Sequence, residues 1–272
     1  MNRQKWISVM LAAAMLLGGC AAKEQFAPLE TISDEIPAET ADSEEKGDII
    51  ETETEKAVET EDGLVEEPTP EGTRPVPEQT SEDYVLIDME NIEQNPELPT
   101  GCESVALTIV LNYFGFNLDK TTIADEYLIF TEENFAEGYM GDPHTDAGAG
   151  VFPPGLVNTA DRFLVENGSE KRAFDISDTE FEDLYNYVAD GIPVIVWNTM
   201  YLEEPIPTDE ICEYEGRQYR WFRNEHCVVL CGFDRETDKV FIQDPLDGFV
   251  ERDADTFEEY YNTIGEYAMI IH

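Results

Sequence analysis

The sequence is poor in basic residues and in histidine. Its 272 residues include 16 Lys or Arg against 61 Asp or Glu, a formal net charge of −45, and it has three histidines. A chain this acidic lacks the positive surface with which proteins bind nucleic acids or anionic bilayers, so the composition argues against both kinds of partner. The same charge is compatible with a cationic peptide partner, and equally with the solubility of an exported protein.

Cysteine is also scarce, and its spacing argues against a structural metal site. The chain has five cysteines and no Cys-x-x-Cys pair of the kind that holds zinc, and we expect neither metal nor cofactor. Cys227 and Cys231 would lie about 13 Å apart along one predicted strand, beyond the span of a disulfide. Either could instead pair with Cys212. Both are expected on the strand face opposite His226.

One apolar run stands out, close to the start of the sequence. Residues 1–5 are short and basic, residues 6–17 are apolar, and Gly18-Gly19-Cys20 follows. The run is too short to span a bilayer comfortably and is typical of a signal peptide. The small residues before Cys20 resemble a lipobox, which implies that residues 1–19 are removed and that Cys20 is lipidated. We therefore predict an exported domain anchored by lipid on the extracytoplasmic side; an ordinary secretory signal is the alternative.

Residues 20–83 are predicted to be an acidic linker. Residues 21–80 carry 19 Asp or Glu against 4 Lys or Arg, a net charge of −15, and residues 81–272 carry −32. With few large apolar side chains, the linker cannot bury enough surface to offset its ordering entropy, so it is expected to be disordered. A flexible coil of about 60 residues would reach roughly 45 Å, which suits a spacer; an acidic interaction tail is the alternative.

Residues 84–272 have the length of one domain. Helices are predicted at residues 103–114, 118–128, 154–167 and 179–189. Strands are predicted at residues 84–87, 193–197, 226–233, 239–244 and 267–271. Residues 131–154 are predicted to be a long functional loop or lid, and residues 201–222 an excursion between strands. Because helices come early and the clearest strand pair comes late, we predict an α+β fold, with N-terminal helices packed on a C-terminal antiparallel sheet.

Cys102 is the first candidate for a catalytic group. It follows the turn sequence Pro99-Thr100-Gly101 and directly precedes an apolar helical run that ends at Phe114. Its thiol is therefore expected at a helix N-terminus, where free N–H groups and the helix dipole favour the thiolate. A lone cysteine there is more often buried and inert, so the assignment depends on a base and a carboxylate elsewhere.

His226 and Asp244 are the predicted base and orienting carboxylate. If the turn of the late hairpin is centred near residue 235, the two residues are directly opposed at its open end and point to the same face. One ring nitrogen of His226 would bond the carboxylate and leave the other for a thiol. Gln94, in the polar loop before the helix, could form an oxyanion hole with the backbone N–H of Cys102.

These residues lie in segments that resemble the C39-like peptidase family. The segments are Gln94, Glu97 to Ser104, Leu111 to Gly115, residues 148–154 and 191–197, His226 to Leu230, and Asp244-Pro245. The resemblance covers most of the domain and implies a papain-like fold, with Cys102 as nucleophile, His226 as base, Asp244 as orienting group and Gln94 as oxyanion donor. Members that process exported peptides are fused to a transporter. Because this sequence shows no transporter segments, the resemblance does not imply that the domain cleaves the leader from an exported peptide.

His144 and Trp197 are weaker candidates for substrate contact. His144 lies in the Gly-rich loop at 131–154, where we favour a structural or substrate-contact role. Asp142 and Asp146 flank it at alternating positions, but so loose a cluster in a loop does not predict a metal site. Trp197 ends an apolar strand and is expected in the core rather than on a substrate-binding surface.

Together these features predict a surface-anchored cysteine hydrolase that cleaves peptide (amide) bonds. The expected partner is a peptide or protein substrate, including cell-wall peptide. A transglutaminase-like or amidase-type acyl transfer on the same triad is an alternative. A lipid-tethered binding module on an inactive peptidase fold is another, because many folds host non-catalytic members. A solute-binding lipoprotein would need two lobes, for which the domain is too short.

Overall fold

The computed structural model describes residues 74–272. The predicted signal peptide, Cys20 and the linker up to residue 73 lie outside the described residues. Arg74 donates to the Thr179 hydroxyl at 2.8 Å, and the Thr80 N–H donates to Asn186 Oδ1 at 2.8 Å. The chain before the predicted boundary at residue 84 is therefore already bonded to the domain. None of the described helices is long and apolar enough to cross a membrane.

The described residues form four α-helices. They are α1 (Cys102–Tyr113), α2 (Pro153–Glu166), α3 (Phe181–Ala189) and α4 (Ala254–Ile264). α2 begins with Pro153, whose missing N–H costs nothing at a first helical position. α4 begins after Asp253, whose carboxylate accepts the N–H of Thr256 as an N-cap.

Eleven strands lie within the same range. They are β1 (Tyr84–Leu86), β2 (Phe130–Thr131), β3 (Tyr139–Met140), β4 (Ala173–Asp175), β5 (Val194–Thr199), β6 (Pro207–Tyr214), β7 (Arg217–Phe222), β8 (Glu225–Asp234), β9 (Lys239–Asp244), β10 (Gly248–Asp253) and β11 (Ala268–Ile271). The main sheet is antiparallel, in the order β10-β9-β8-β5-β11-β4, and β1 also pairs with β8. β8 and β5 are thus central, which buries both faces of each.

Helices cover both faces of this sheet. Ile195 and Trp197 of β5 pack with α1 and α2 in one apolar cluster. Val194 and Val196, which alternate with them, pack with α3 and α4 in another. This is the α+β arrangement expected from the sequence, except that α4 follows the sheet's long strands and was not predicted.

Three predicted elements differ from the observed ones. The helix expected at residues 118–128 is a π-helical turn, Ile123–Tyr127, because the side chain of Asn112 bonds both the N–H and the carbonyl of Leu118 and withholds them from a helix. The loop at 131–154 contains β3, which pairs in parallel with β2. The excursion at 201–222 includes the β6–β7 hairpin. Strands β4 and β10 were not predicted.

The cysteines do not form the disulfides that the sequence allowed. Cys212, Cys227 and Cys231 are all free thiols in the structure. Cys227 packs with the α1 cluster, on the face opposite His226, as expected. Cys231 packs with the α3 and α4 cluster instead, which contradicts the prediction. The cause is a β-bulge between Leu230 and Gly232, which turns Cys231 to the other face.

Candidate active site

Cys102 is the first residue of α1, as its sequence context predicts. The turn before it closes with a bond from the Gly101 N–H to the Leu98 carbonyl at 3.0 Å. A Cβ on Gly101 would lie 2.9 Å from Leu98 Cβ, so glycine lets the turn close. Tyr139 donates to the Thr100 carbonyl at 2.6 Å and ties the turn to the start of β3.

The thiol of Cys102 is buried, and its surroundings favour the protonated form over the thiolate. Sγ lies 3.3 Å from Glu103 Oε2, to which it donates. Burial raises the pKa of this thiol well above its ordinary value, and the charges of Glu103 and Glu225 raise it further; a bond from the backbone of Cys227 opposes them. The expectation that the helix N-terminus stabilises a thiolate is therefore wrong for this structure, because two nearby carboxyls and desolvation outweigh the helix dipole.

His226 and Asp244 form a buried pair. His226 is fully buried, and its Nε2 lies 2.7 Å from Asp244 Oδ1. Burial would raise the pKa of Asp244, but the hydrogen bond and charge of His226, with smaller contributions from the Leu246 N–H and Arg252, lower it. Because an ionised carboxylate only accepts hydrogen bonds, Nε2 carries a hydrogen and donates it to Asp244. Nδ1 is buried and has no hydrogen-bond partner in the structure.

The pairing register of β8 and β9 differs from the predicted one. Val229 pairs with Gln243, so the register continued to the end of β9 places Asp244 beside Val228 and diagonal to His226. The direct opposition that the sequence suggested is therefore wrong by two residues. The turn lies later than assumed and shifts the pairing by three residues, and the bulge takes one of them back. Because two is a whole period of a strand, both side chains still point to the same face and meet.

The thiol of Cys102 contacts the backbone of β8 next to His226. Cys227, which follows His226, packs beside Cys102, and its backbone bonds the thiol. His226 itself points to the other face of β8, and within residues 74–272 no hydrogen bond joins its ring to the thiol. The structure thus places the thiol of Cys102 and the ring of His226 near the same end of β8, with the thiol bonded to Glu103.

Gln94 connects the two halves of the site. Its side chain is 2 % exposed, and its Nε2 donates to the Pro99 carbonyl at 2.8 Å, in the turn that leads to Cys102. Its backbone N–H donates to the Pro245 carbonyl at 2.8 Å, directly after Asp244. The amide is therefore held between the nucleophile's turn and the carboxylate's strand, and Nε2 keeps a second hydrogen.

The two weaker candidates both have structural contacts. The ring of His144 lies 2.8 Å from Asp125 Oδ1 through Nε2 and 3.1 Å from the Glu97 carbonyl through Nδ1, so both nitrogens are occupied. Trp197 is fully buried, and its Nε1 donates to the Val151 carbonyl at 3.0 Å. Trp197 is therefore a core residue, as its place in an apolar strand predicts, and the weaker alternative of substrate contact is wrong.

Glu103 and Glu225 were missed as members of the site. Both are buried, although Glu103 interrupts the apolar start of α1 and Glu225 precedes the apolar run of β8. Burial raises the pKa of Glu103 to about 7 and that of Glu225 well above its usual range. A charged residue directly beside each predicted catalytic residue, at the edge of an apolar run, is the signal that could have found them.

Known proteins resemble this chain in sequence and in fold. The sequence model of the Peptidase_C39 like family matches residues 86–269, more than half of the chain. The uncharacterized protein YvpB of Bacillus subtilis (strain 168) is 26% identical over 185 residues, which cover 65% of this chain and 70% of YvpB. A crystal structure assigned as a C39-like peptidase from Bacillus anthracis has a TM-score of 0.59 and 28% identity, covering 70% of this chain and 98% of that one. The chain therefore belongs to the C39-like peptidase family and carries a cysteine peptidase-like hydrolase domain of papain-like α+β fold.

Proposed function

We propose that the domain hydrolyses peptide amide bonds, with Cys102 as nucleophile, His226 as base and Asp244 as its orienting carboxylate. The observation that supports this most is the state of the His226 ring. One nitrogen is held by Asp244 at 2.7 Å, and the other is buried without a partner. An unpaired buried nitrogen is costly, and the residue that follows His226 is Cys227, whose backbone bonds the thiol of Cys102.

The first step would be attack by the thiol on the scissile carbonyl. In the unliganded structure Glu103 binds the thiol and the ring of His226 faces the other side of β8. The step therefore requires these side chains to reorient until Nδ1 takes the thiol proton as the sulfur–carbon bond forms. The carbonyl electrons move onto oxygen, where the backbone N–H of Cys102 and the free Nε2 hydrogen of Gln94 would stabilise the charge. Asp244 stays ionised and stabilises the imidazolium, because its pKa is lowered.

The remaining steps would release the two products. The carbon–nitrogen bond breaks as His226 donates its proton to the leaving amine, which leaves a thioester on Cys102. Water then attacks the thioester, and His226 takes a proton from that water. The sulfur–carbon bond breaks as His226 returns the proton to the sulfur and the acid product forms. The catalytic groups return to their starting protonation states, so one amide bond and one water molecule are consumed.

A cationic peptide is the substrate class that the charge of the domain favours. Residues 81–272 carry a net charge of −32, which would attract basic peptides and repel acidic ones. Cell-wall peptide is compatible with the extracytoplasmic location that we propose below.

Digestion of a fluorogenic peptide library tests this function. Wild type should cleave, whereas Cys102→Ser and His226→Ala should lose at least about 10³-fold in kcat/KM. Cys231→Ser is the matched control, because that thiol lies in the other apolar cluster, and it should retain activity. Mass spectrometry should also find an acyl adduct on Cys102. Cleavage that survives in Cys102→Ser, or a wild type with neither cleavage nor adduct, contradicts the proposal.

A binding module on an inactive peptidase fold is the second candidate. The observation that favours it is the thiol, which is protonated and bonded to Glu103 instead of His226. An acyl transfer is distinguished within the same assay, because an added amine would then accumulate in the product in place of water.

We also propose that the domain is exported and held at the membrane by lipid on Cys20. The support is the sequence of residues 1–20, which lie outside the described residues. Metabolic labelling with a palmitate analogue should mark the wild type and not Cys20→Ser. Equal labelling of the two proteins, or no labelling of either, contradicts the anchor.

A further inference from the structure

Glu103 binds the candidate nucleophile from within the same helix. It is fully buried in the first turn of α1. Its Oε2 accepts the thiol hydrogen of Cys102 at 3.3 Å, and its Oε1 accepts the N–H of Val151 at 2.8 Å. The carboxyl therefore links the thiol to the end of the long loop that precedes α2.

The loop backbone is shaped around this carboxyl. Gly150 has φ +146°, a conformation that favours glycine. A Cβ on Gly150 would lie 2.3 Å from Glu103 Oε1 and 2.9 Å from the ring of Trp221. The Glu103 carboxyl thus has space only because residue 150 is a glycine.

Glu225 is a second carboxyl beside the same thiol, contributed by β8. It is 4 % exposed, and its Oε1 has no hydrogen-bond partner. The titratable groups around the thiol are Glu103 from α1, Glu225 and Cys227 from β8, and Tyr139 from β3. Within residues 74–272, no Lys or Arg forms an ion pair with either carboxyl. In the part of the chain that the structure describes, neither carboxyl is therefore neutralised by an ion pair.

We propose that Glu103, assisted by Glu225, is a positioning residue that holds the Cys102 thiol protonated and away from His226 in the unliganded protein. The inference rests on the proposed function, in which the thiol must leave Glu103 before Nδ1 of His226 receives its proton. A carboxylate beside sulfur repels a thiolate, so the nucleophile becomes available only when this bond is exchanged. The Val151 N–H fixes the carboxyl in the position that makes the bond.

The test is the rate of Cys102 alkylation by iodoacetamide between pH 6 and pH 12, followed by peptide mapping of the full chain; the scan extends to high pH because the pKa of this thiol is raised well above its ordinary value. Glu103→Gln removes the charge and keeps an oxygen for Val151. The midpoint of alkylation should fall by at least one pH unit. Thiolate at pH 7 then rises about tenfold and the rate about threefold, because nucleophilicity falls with pKa. Glu251→Gln, an exposed glutamate on β10, is the matched control and should leave the midpoint unchanged.

Glu225→Gln keeps the proposal falsifiable if Glu103→Gln does not fold. It removes the second charge without touching the thiol's hydrogen bond, and it should lower the midpoint by a smaller amount. Unchanged midpoints in the folded variants would overturn the proposal. Alkylation does not require hydrolysis, so the expected shifts without any peptide cleavage would support the role of Glu103 while the proposed function failed. Cleavage with unshifted midpoints would overturn this role alone.

Discussion

Replacing Glu103 with glutamine should change how the stability of the domain depends on pH. Burial raises the pKa of this side chain from 4.5 to about 7 in the folded protein. Between those two values, the folded protein holds a proton on Glu103 that the unfolded chain has released. Because the folded state binds more protons there, the free energy of unfolding falls as the pH rises across the interval.

The magnitude follows from the two pKa values. Between pH 5 and pH 8, this one group should remove about 2 to 3 kcal/mol from the free energy of unfolding of the wild type. Glutamine has nearly the same shape, keeps an acceptor for the Val151 N–H and does not titrate. The unfolding free energy of Glu103→Gln, relative to that of the wild type, should therefore rise by about 2 to 3 kcal/mol over the same interval.

Urea denaturation at pH 5, 6.5 and 8, followed by tryptophan fluorescence, measures this difference. Contributions from acidic groups distant from Glu103 cancel because they are common to both proteins, and repeating the comparison in a Glu225→Gln background removes that of Glu225, whose pKa Glu103 raises. The exposed control Glu251→Gln should stay parallel to the wild type. If the difference between Glu103→Gln and the wild type is constant within about 0.5 kcal/mol, then Glu103 ionises normally and the reasoning is wrong.

Three further substitutions test contacts around the site, each by urea denaturation. Tyr139→Phe loses the 2.6 Å hydrogen bond to the Thr100 carbonyl and should cost about 1 to 2 kcal/mol; an unchanged midpoint contradicts that bond. Gly150→Ala places a Cβ 2.3 Å from Glu103 Oε1 and should cost about 2 to 4 kcal/mol; wild-type stability would mean that the loop is free to move. Asp253→Ala removes the N-cap of α4 and should cost about 1 kcal/mol, whereas Asp253→Asn should cost less; equal losses contradict capping.

The apolar patterns of the sequence were sufficient to predict the helix and the strands that carry the candidate site residues. The helix that starts near Cys102 and the strands around His226 and before Asp244 are long apolar runs with clear boundaries. Strand alternation also placed the two side chains on one face, because a register error of two residues does not change the face.

Elements with weak apolar patterns were missed or wrong for local reasons. The helix at 118–128 fails because a side chain from the preceding helix, Asn112, binds the backbone of Leu118. The strand β10 and the β6–β7 hairpin have half-exposed, highly charged sequences in which alternation is hard to see. Their conformation depends on pairing with neighbours, which propensity does not report.

The sequence by itself determined that Cys102 begins a helix and that His226 and Asp244 lie on the same face of the sheet, because both conclusions follow from local periodicity. Only the tertiary structure decided the protonation of Cys102. The packing of α1 against β8 and the loop at Val151 buries Glu103 and Glu225 beside the thiol. Desolvation and charge repulsion depend on groups that are far apart in the chain. They favour the neutral thiol of Cys102, whereas the helix N-terminus alone predicted a thiolate.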